Sequence, residues 1–338
     1  VHILNSSPKK ILIIKPGAIG DLLQISPTVR ALRKRFPDAL IDIMVSSPGT
    51  ASLFEHNPHI RKVTFFDRKG EHRNWSRFMT LLRDVRGEGY DLVVNFQRST
   101  LKVWLLVLAA MPCKVLVYHK SRSAGVHAVL NHIETVTPLG IDPEKEILDL
   151  EMFLYPGDKD AADRLLHNEG LDGRTLVALN LGASHQVNRW PVENFASLAE
   201  RLHKDLGAAV LLVGGREDRV LADAVLAQLA TPVVDLVGRT SLPELGAVLR
   251  RCKFAVSGDT GPMHMATAVG TSVIALFGAA DPQRTGPVGK GHLVIQANDL
   301  ACVPCRSRSC LHTPYLECMS KISVDDVMLA AARIPDAR

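Results

Sequence analysis

What most constrains this chain is an alternation of short apolar runs with helical stretches that starts twice along 338 residues. Residues 10–14 form a β-rich run closed by Pro16 and Gly17, and helical periodicity follows over 21–36. Residues 40–45 read as the next strand and complete a βαβ unit. Strand signals recur at 61–66, 92–96 and 114–118, with helices predicted over 76–88 and 101–110. A polar stretch holding Asp158, Asp160 and Asp163 then leads into a helix predicted over 160–168. The pattern restarts with strands at 175–180, 208–213, 233–236, 254–257 and 272–277. Helices are predicted between them at 191–206, 219–229, 242–252 and 263–269, and a last one at 324–333 is free to pack on either half. Apolar strands alternating with helices call for parallel sheets covered on both faces. The expectation is an α/β chain of two open-sheet domains, 1–165 and 166–338, with ligands where the carboxyl ends of the strands meet.

Composition narrows the setting. A hydrophobic share of 46% suits two such cores. No run of eighteen residues lacks charged or breaking residues, so no transmembrane helix is predicted. The opening VHILNSSPKK lacks the apolar core of a secretory signal, and a cytoplasmic protein is expected. The net charge of +5 matters less than its distribution, because residues 61–122 carry 13 Lys and Arg against 5 Asp and Glu. Such a patch suits nucleic acid, an anionic membrane surface or an acidic substrate. With aromatics at 5% and no base-stacking motif, nucleic acid is the least supported of these.

The strongest chemical signal runs from Phe254 to His264. A buried strand ends, Gly258 and small polar residues make a turn, and a helix begins with Pro262 in its first turn, where no amide hydrogen bond is lost. Free amides near Thr260 and Gly261 can cradle phosphate oxygens, aided by the helix dipole. Asp259 would repel a phosphate, so it is read as a helix cap or a partner for sugar hydroxyls. The same segment is also compatible with a plain capped helix. Neither half carries a complete dinucleotide fingerprint or a P-loop, and Gly17-Ala-Ile-Gly20 is only a partial glycine-rich turn.

Taken together, Lys15-Pro-Gly-Ala-Ile-Gly20-Asp21, Arg189-Trp190-Pro191, Gly214-Gly215-Arg216-Glu217-Asp218 and Asp259-Thr260-Gly261-Pro262-Met263-His264 resemble the lipopolysaccharide heptosyltransferases. Each piece is short, but their order and placement after predicted strands extend the resemblance over almost the whole chain. It implies a GT-B architecture, two Rossmann-like domains facing across a cleft. It further implies an ADP-heptose donor on the C-terminal domain and an anionic lipid A core acceptor, bearing Kdo or heptose, on the N-terminal domain. Contact with the cytoplasmic face of the inner membrane would follow.

In the resembled family the residue at Asp21 is placed as general base, taking the proton of the acceptor hydroxyl as it attacks the anomeric carbon; alone, Asp21 is equally a cap for a helix starting near Leu22. Inverting displacement is implied, and the leaving ADP needs fixed donors, for which the Thr260 and Gly261 amides are the first candidates. Arg189 and Lys15 are basic groups near predicted loops, with Gly20 beside Lys15. The commoner family pattern has a lysine before the residue preceding Trp-Pro; here Asn188 stands in its place, leaving that task to Arg189 or to no residue. Glu217 resembles a family acid at the ribose or adenosine end. Ser184 and His185 follow a strand toward the same region, and His264 is read as a donor contact or a packed core histidine.

Six cysteines are present, and Cys302, Cys305, Cys310 and Cys318 form a C-x2-C-x4-C-x7-C arrangement. Four soft ligands at this spacing can enclose a structural zinc. An iron–sulfur cluster, reduced thiols and a disulfide are the alternatives, and the resemblance implies no metal at the chemical step. A non-catalytic nucleotide-binding module and a transferase using another nucleotide sugar remain the rival functions.

Overall fold

The computed structural model describes residues 7–97, 101–119 and 125–335. The chain divides between Phe153 and Leu154 into two compact units. The helix Pro156–Asn168, inside which the predicted boundary fell, belongs wholly to the second unit and packs on the helix Leu242–Arg251.

In the first unit, β1 (Lys10–Ile14), β2 (Leu40–Val45), β3 (Lys62–Phe65), β4 (Leu92–Asn95) and β5 (Lys114–Val117) form a parallel sheet ordered β3-β2-β1-β4-β5. Leu12 and Ile14 pack with Phe78, Leu81 and Val85 of one helix and Val103 and Leu106 of another. Ile11 and Ile13 point to the opposite face and are equally buried. That explains why β1 is a continuous apolar run and not an alternating one.

The predicted helix 21–36 is two helices, Ile19–Leu23 and Ser26–Arg35, the second with Pro27 in its first turn. Pro27 has no amide to give the carbonyl of Leu23. The Ser26 hydroxyl donates to that carbonyl instead, at 2.7 Å, so the break leaves no orphaned acceptor. The helix Ala128–Glu134, not predicted from the sequence, packs beside Ser26–Arg35.

The second unit holds β6 (Leu176–Asn180), β7 (Ala209–Val213), β8 (Val234–Asp235), β9 (Phe254–Gly258), β10 (Ser272–Phe277) and β11 (Leu293–Gln296). They form a parallel sheet ordered β11-β10-β9-β6-β7-β8. The order reverses between β6 and β9, and in an open parallel sheet the carboxyl ends at that point leave a crevice for ligand. In the first unit the reversal lies between β1 and β4. The last helix, Val324–Ala331, packs on the helix Val192–Leu206 and on β10 and β11, and its Val327 and Ala330 join the second core.

Candidate functional site

At the reversal between β6 and β9, Asn180 lies in register with Ser257. The Asn180 side chain is buried, and its Nδ2 shares two protons among three acceptors within reach, the carbonyl of Gly182 at 3.0 Å, Ser257 Oγ at 3.0 Å and Thr260 Oγ1 at 3.1 Å. Ser257 Oγ and Thr260 Oγ1 are themselves 3.0 Å apart. Thr260 is the N-cap of the helix Gly261–Ala268 in extended conformation, and its side chain makes no capping bond. Its hydroxyl is turned into the polar network and so does not cap the first amides of the helix. Asp259 is not the cap: its Oδ2 accepts from Thr285 Oγ1 at 3.0 Å, and its Oδ1 lies 3.8 Å from Nε2 of the buried His264. Thus His264 is a core histidine on the inner side of the turn, in contact with the Asp259 carboxylate.

Backbone packing fixes the turn. A Cβ on Gly258 would sit 2.4 Å from the carbonyl oxygen of Asn188, so the chain before Arg189 passes directly over the end of β9. The side-chain Oδ1 of Asn188 is buried without a hydrogen-bond partner among the described residues. Arg189 donates from Nε and Nη2 to the carbonyl of Ala183 at 3.0 and 2.9 Å, which steadies the loop carrying the exposed Ser184 and His185. Trp190 is structural, its ring 5.0 Å from that of Phe195 and its Nε1 donating to the carbonyl of Ile322 at 2.9 Å.

Beside this loop, Asp218 is buried and accepts from the Gly215 amide at 2.9 Å. A Cβ on Gly182 would lie 2.0 Å from Asp218 Oδ1, so only glycine fits there. Burial pushes the Asp218 carboxyl above its usual range, its bond from the Gly215 amide and nearby Arg189 opposing the rise and Glu217 adding to it. Glu217 itself is exposed, its carboxylate folded over Gly215. Arg189, Glu217, Asp259 and Thr260 therefore all lie at the carboxyl ends of β6, β7 and β9. Asn180, Ser257 and Asp218 join them; Asp218 closes the Gly214–Asp218 motif without having been given a role, and Asn180 and Ser257 stood out only as polar residues ending apolar strands.

In the first unit, Lys15 follows β1 and is buried, with Nζ 3.6 Å from Asp21 Oδ1. Asp21 lies in the first turn of Ile19–Leu23, whose N-cap is Ala18 with no side-chain cap bond, so the capping alternative for Asp21 does not hold. The Asp21 side chain is 54% exposed, and Gly20 beside it is buried. His132 lies behind Lys15, Nδ1 3.3 Å from the Gln24 carbonyl and its ring against Phe96 and Tyr118. Burial, with the positive Lys15 nearby, pushes its imidazole down to about 3. Asn95 ends β4 beside Ile14, fully buried, with an Nδ2 that has no partner among the described residues. A cavity of about 400 Å³ adjoins these strand ends, lined by Gly17, Ser46, Asp67, Arg68, Lys69 and Gln97 among others.

The basic stretch is less available than its charge count implied. Arg61 pairs with the buried Asp42 and with Glu88, Lys62 pairs with Glu88, and Arg77 lies 3.8 Å from Glu71. Arg61 foremost, with Lys62, holds the Glu88 carboxyl down at about 2. Arg98, Lys120 and Arg122 lie outside the described residues.

Cys302, Cys305, Cys310 and Cys318 line one cavity of about 330 Å³, and all four are free thiols. Cys318 is buried, which raises its thiol, and the other three sulfurs add to that rise. Among the described residues no group of three or more His, Cys, Asp or Glu is placed to hold a metal ion. The spacing thus brings the four sulfurs to one cavity.

Comparison with known proteins places this geometry in a family. The model of Glycosyltransferase family 9 (heptosyltransferase) matches residues 78–316. Lipopolysaccharide heptosyltransferase 3 of Escherichia coli is 27% identical over 333 residues, covering 93% of this chain and 96% of the relative. Lipopolysaccharide heptosyltransferase 1 of Pseudomonas aeruginosa is 24% identical over 324 residues, covering 91% and 89%. Among solved structures, the glycosyl transferase family 9 protein of Veillonella parvula has a TM-score of 0.85 at 23% identity, covering 96% of this chain and 97% of that one. E. coli ADP-heptose LPS heptosyltransferase II has a TM-score of 0.78 at 22% identity, covering 96% and 98%. The two parallel-sheet units are accordingly of the GT-B type. The family match spans most of the chain and takes in β4 to β11, so the chain belongs to glycosyltransferase family 9, the heptosyltransferases.

Proposed function

We propose that this protein is an inverting heptosyltransferase that moves heptose from ADP-heptose to the Kdo or heptose inner core of lipopolysaccharide, working at the cytoplasmic face of the inner membrane. The observation that carries the reading is the network of Asn180, Ser257 and Thr260, which opens the helix amides at the reversal point of the second sheet. The diphosphate takes the Thr260 and Gly261 amides, and Arg189, held near by its bonds to Ala183, faces its charge. Glu217 takes the ribose or adenosine end, Asp259 the sugar hydroxyls or the turn, and Ser184 the loop side of the donor.

Asp21 is the base. Its carboxylate is half open to solvent, 3.6 Å from Lys15 Nζ, and accessible to an acceptor hydroxyl. Lys15 and Gly20 contact the acceptor or a phosphate. In one displacement the hydroxyl oxygen bonds the anomeric carbon, its proton passes to Asp21, and the bond to ADP breaks on the opposite face.

The test is incubation of purified protein with ADP-heptose and defined heptose-deficient core acceptors, following both ADP release and the glycolipid mass. A heptose-sized mass increase is expected with ADP-heptose and none with UDP-sugars. Transfer from a UDP-sugar alone would reassign the donor, and donor binding without transfer to any acceptor would leave a nucleotide-binding module.

A further inference from the structure

The helix Leu101–Ala109 is apolar on both of its faces. Val103, Leu106 and Val107 face inward and supply the first core. The opposite face of a surface helix normally carries charge. Here it carries Leu101, Trp104 and Leu108, which are 76%, 37% and 61% exposed, and Lys102 is the helix's one charged residue. Met111 follows at 43% exposed. The neighbouring helix Trp75–Glu88 adds Trp75 and Met79, 57% and 37% exposed, four residues apart on one stripe. Lys102 ties the two helices together: its Nζ donates to the His72 carbonyl at 2.6 Å and lies 5.7 Å from the Trp75 ring.

Isolated exposed apolar residues are ordinary, but a two-helix face carrying a tryptophan on each helix is not. Around it lie the exposed Arg73, Arg77, Arg83, Arg86 and Lys114. Of the nearby acids, Glu88 is engaged by Lys10, Arg61 and Lys62, Glu71 lies 3.8 Å from Arg77, and Asp84 is exposed among these cations. The rim is therefore mainly of one sign. With only nine residues the helix is too short to span a bilayer, so its apolar face can meet lipid only lying flat. Tryptophan and leucine flanked by arginine and lysine are what the boundary between headgroups and acyl chains accepts.

We infer that this two-helix face seats the protein on an anionic lipid bilayer, with Trp75, Trp104, Leu101 and Leu108 entering the headgroup–acyl boundary. The inference deepens the proposed function, since an acceptor anchored in lipid has to be met at a membrane surface. The vesicle measurement itself does not depend on that reading.

The test uses the full chain with vesicles of phosphatidylcholine alone or mixed with phosphatidylglycerol, read by flotation and tryptophan fluorescence. Flotation with the anionic vesicles is expected, with a blue shift of the emission and weakening as salt rises. The double variant Leu101→Ser with Leu108→Ser, at exposed positions, should keep the thermal midpoint and bind at least tenfold more weakly. Arg83→Glu with Arg86→Glu should lose the preference for anionic lipid. Wild type that floats with neither vesicle, or a serine variant that floats as well as wild type, overturns the inference. So does self-association that the serine variant abolishes in a protein that ignores vesicles, because the face then belongs to a second copy. A water-soluble, delipidated acceptor separates the two claims: the serine variant should glycosylate it at the wild-type rate. Flotation without transfer to any acceptor would instead sink the proposed function.

Discussion

Asn180 shows how one buried amide can shape a ligand site that it does not line. Its Nδ2 gathers Gly182, Ser257 and Thr260 at the ends of two strands, and without it the Thr260 hydroxyl is free to turn and accept from its own helix. Loss of such a buried bond costs about 1 kcal/mol or somewhat more. Asn180→Ala should therefore weaken ADP binding by roughly tenfold in calorimetry, and an unchanged affinity would remove Asn180 from the account. Gly258→Ala should act through the backbone, since its methyl would meet the Asn188 carbonyl at 2.4 Å. Overpacking of this kind costs about 1–3 kcal/mol, so a fall of several degrees in the thermal midpoint is expected, and an unchanged midpoint would contradict the close approach. The segment from Asp259 to His264 was legible in the sequence because its residues are contiguous. Asn180 was not, because its bond to Thr260 joins residues 80 apart. Nor was the partnership of Asp218 with Gly182, which only the folded sheet brings together.

Elements were easiest to read where core and solvent faces differ strongly. The strands β4, β6 and β9 are buried throughout, as is β1 from Ile11 onward, and they stand out as apolar runs. The helix Ala128–Glu134 was missed because its inward face includes Asn131 and His132, which a periodicity argument assigns to solvent. The edge strand β11 was missed because it is short and only half-buried. That buried histidine makes the helix a pH-sensitive element. Unfolded, the imidazole titrates near 6.5; folded, it is pushed down to about 3. The unfolded chain thus binds more protons between those values, so the contribution is complete above pH 6.5 and is lost as pH falls toward 3. At pH 5 the loss is about 2 kcal/mol. Denaturant melts at pH 5 and 7 should differ less for His132→Gln than for wild type, and an equal difference would mean that the histidine is already charged in the fold. Thiol reactivity gives a second check at this scale. Burial pushes the Cys252 thiol on the helix Leu242–Arg251 boundary up to about 12, whereas Cys302 and Cys305 are exposed. A thiol reagent at pH 8 should label the latter pair promptly and Cys252 only on unfolding.

At the scale of the whole molecule, two parallel sheets with reversed strand orders divide the proposed work, donor binding falling to the second and the catalytic base to the first. The α/β class and two-domain plan were legible because the strand–helix alternation starts twice. The strand orders were not, because nothing local tells β6 that it will lie beside β9. The division predicts a localised response to ADP in hydrogen exchange: slowed exchange at residues 180–189, 214–218 and 258–264, and little change at 15–21. Protection centred on 15–21 would put the nucleotide in the wrong unit. The central claim, transfer of heptose with Asp21 as base, is tested most directly by comparing wild type and Asp21→Ala with ADP-heptose and a heptose-deficient core acceptor. A positioned base contributes roughly 10²–10⁴-fold, so the variant should lose that much glycolipid formation while binding ADP as tightly as wild type. A variant that transfers heptose at the wild-type rate would contradict the account.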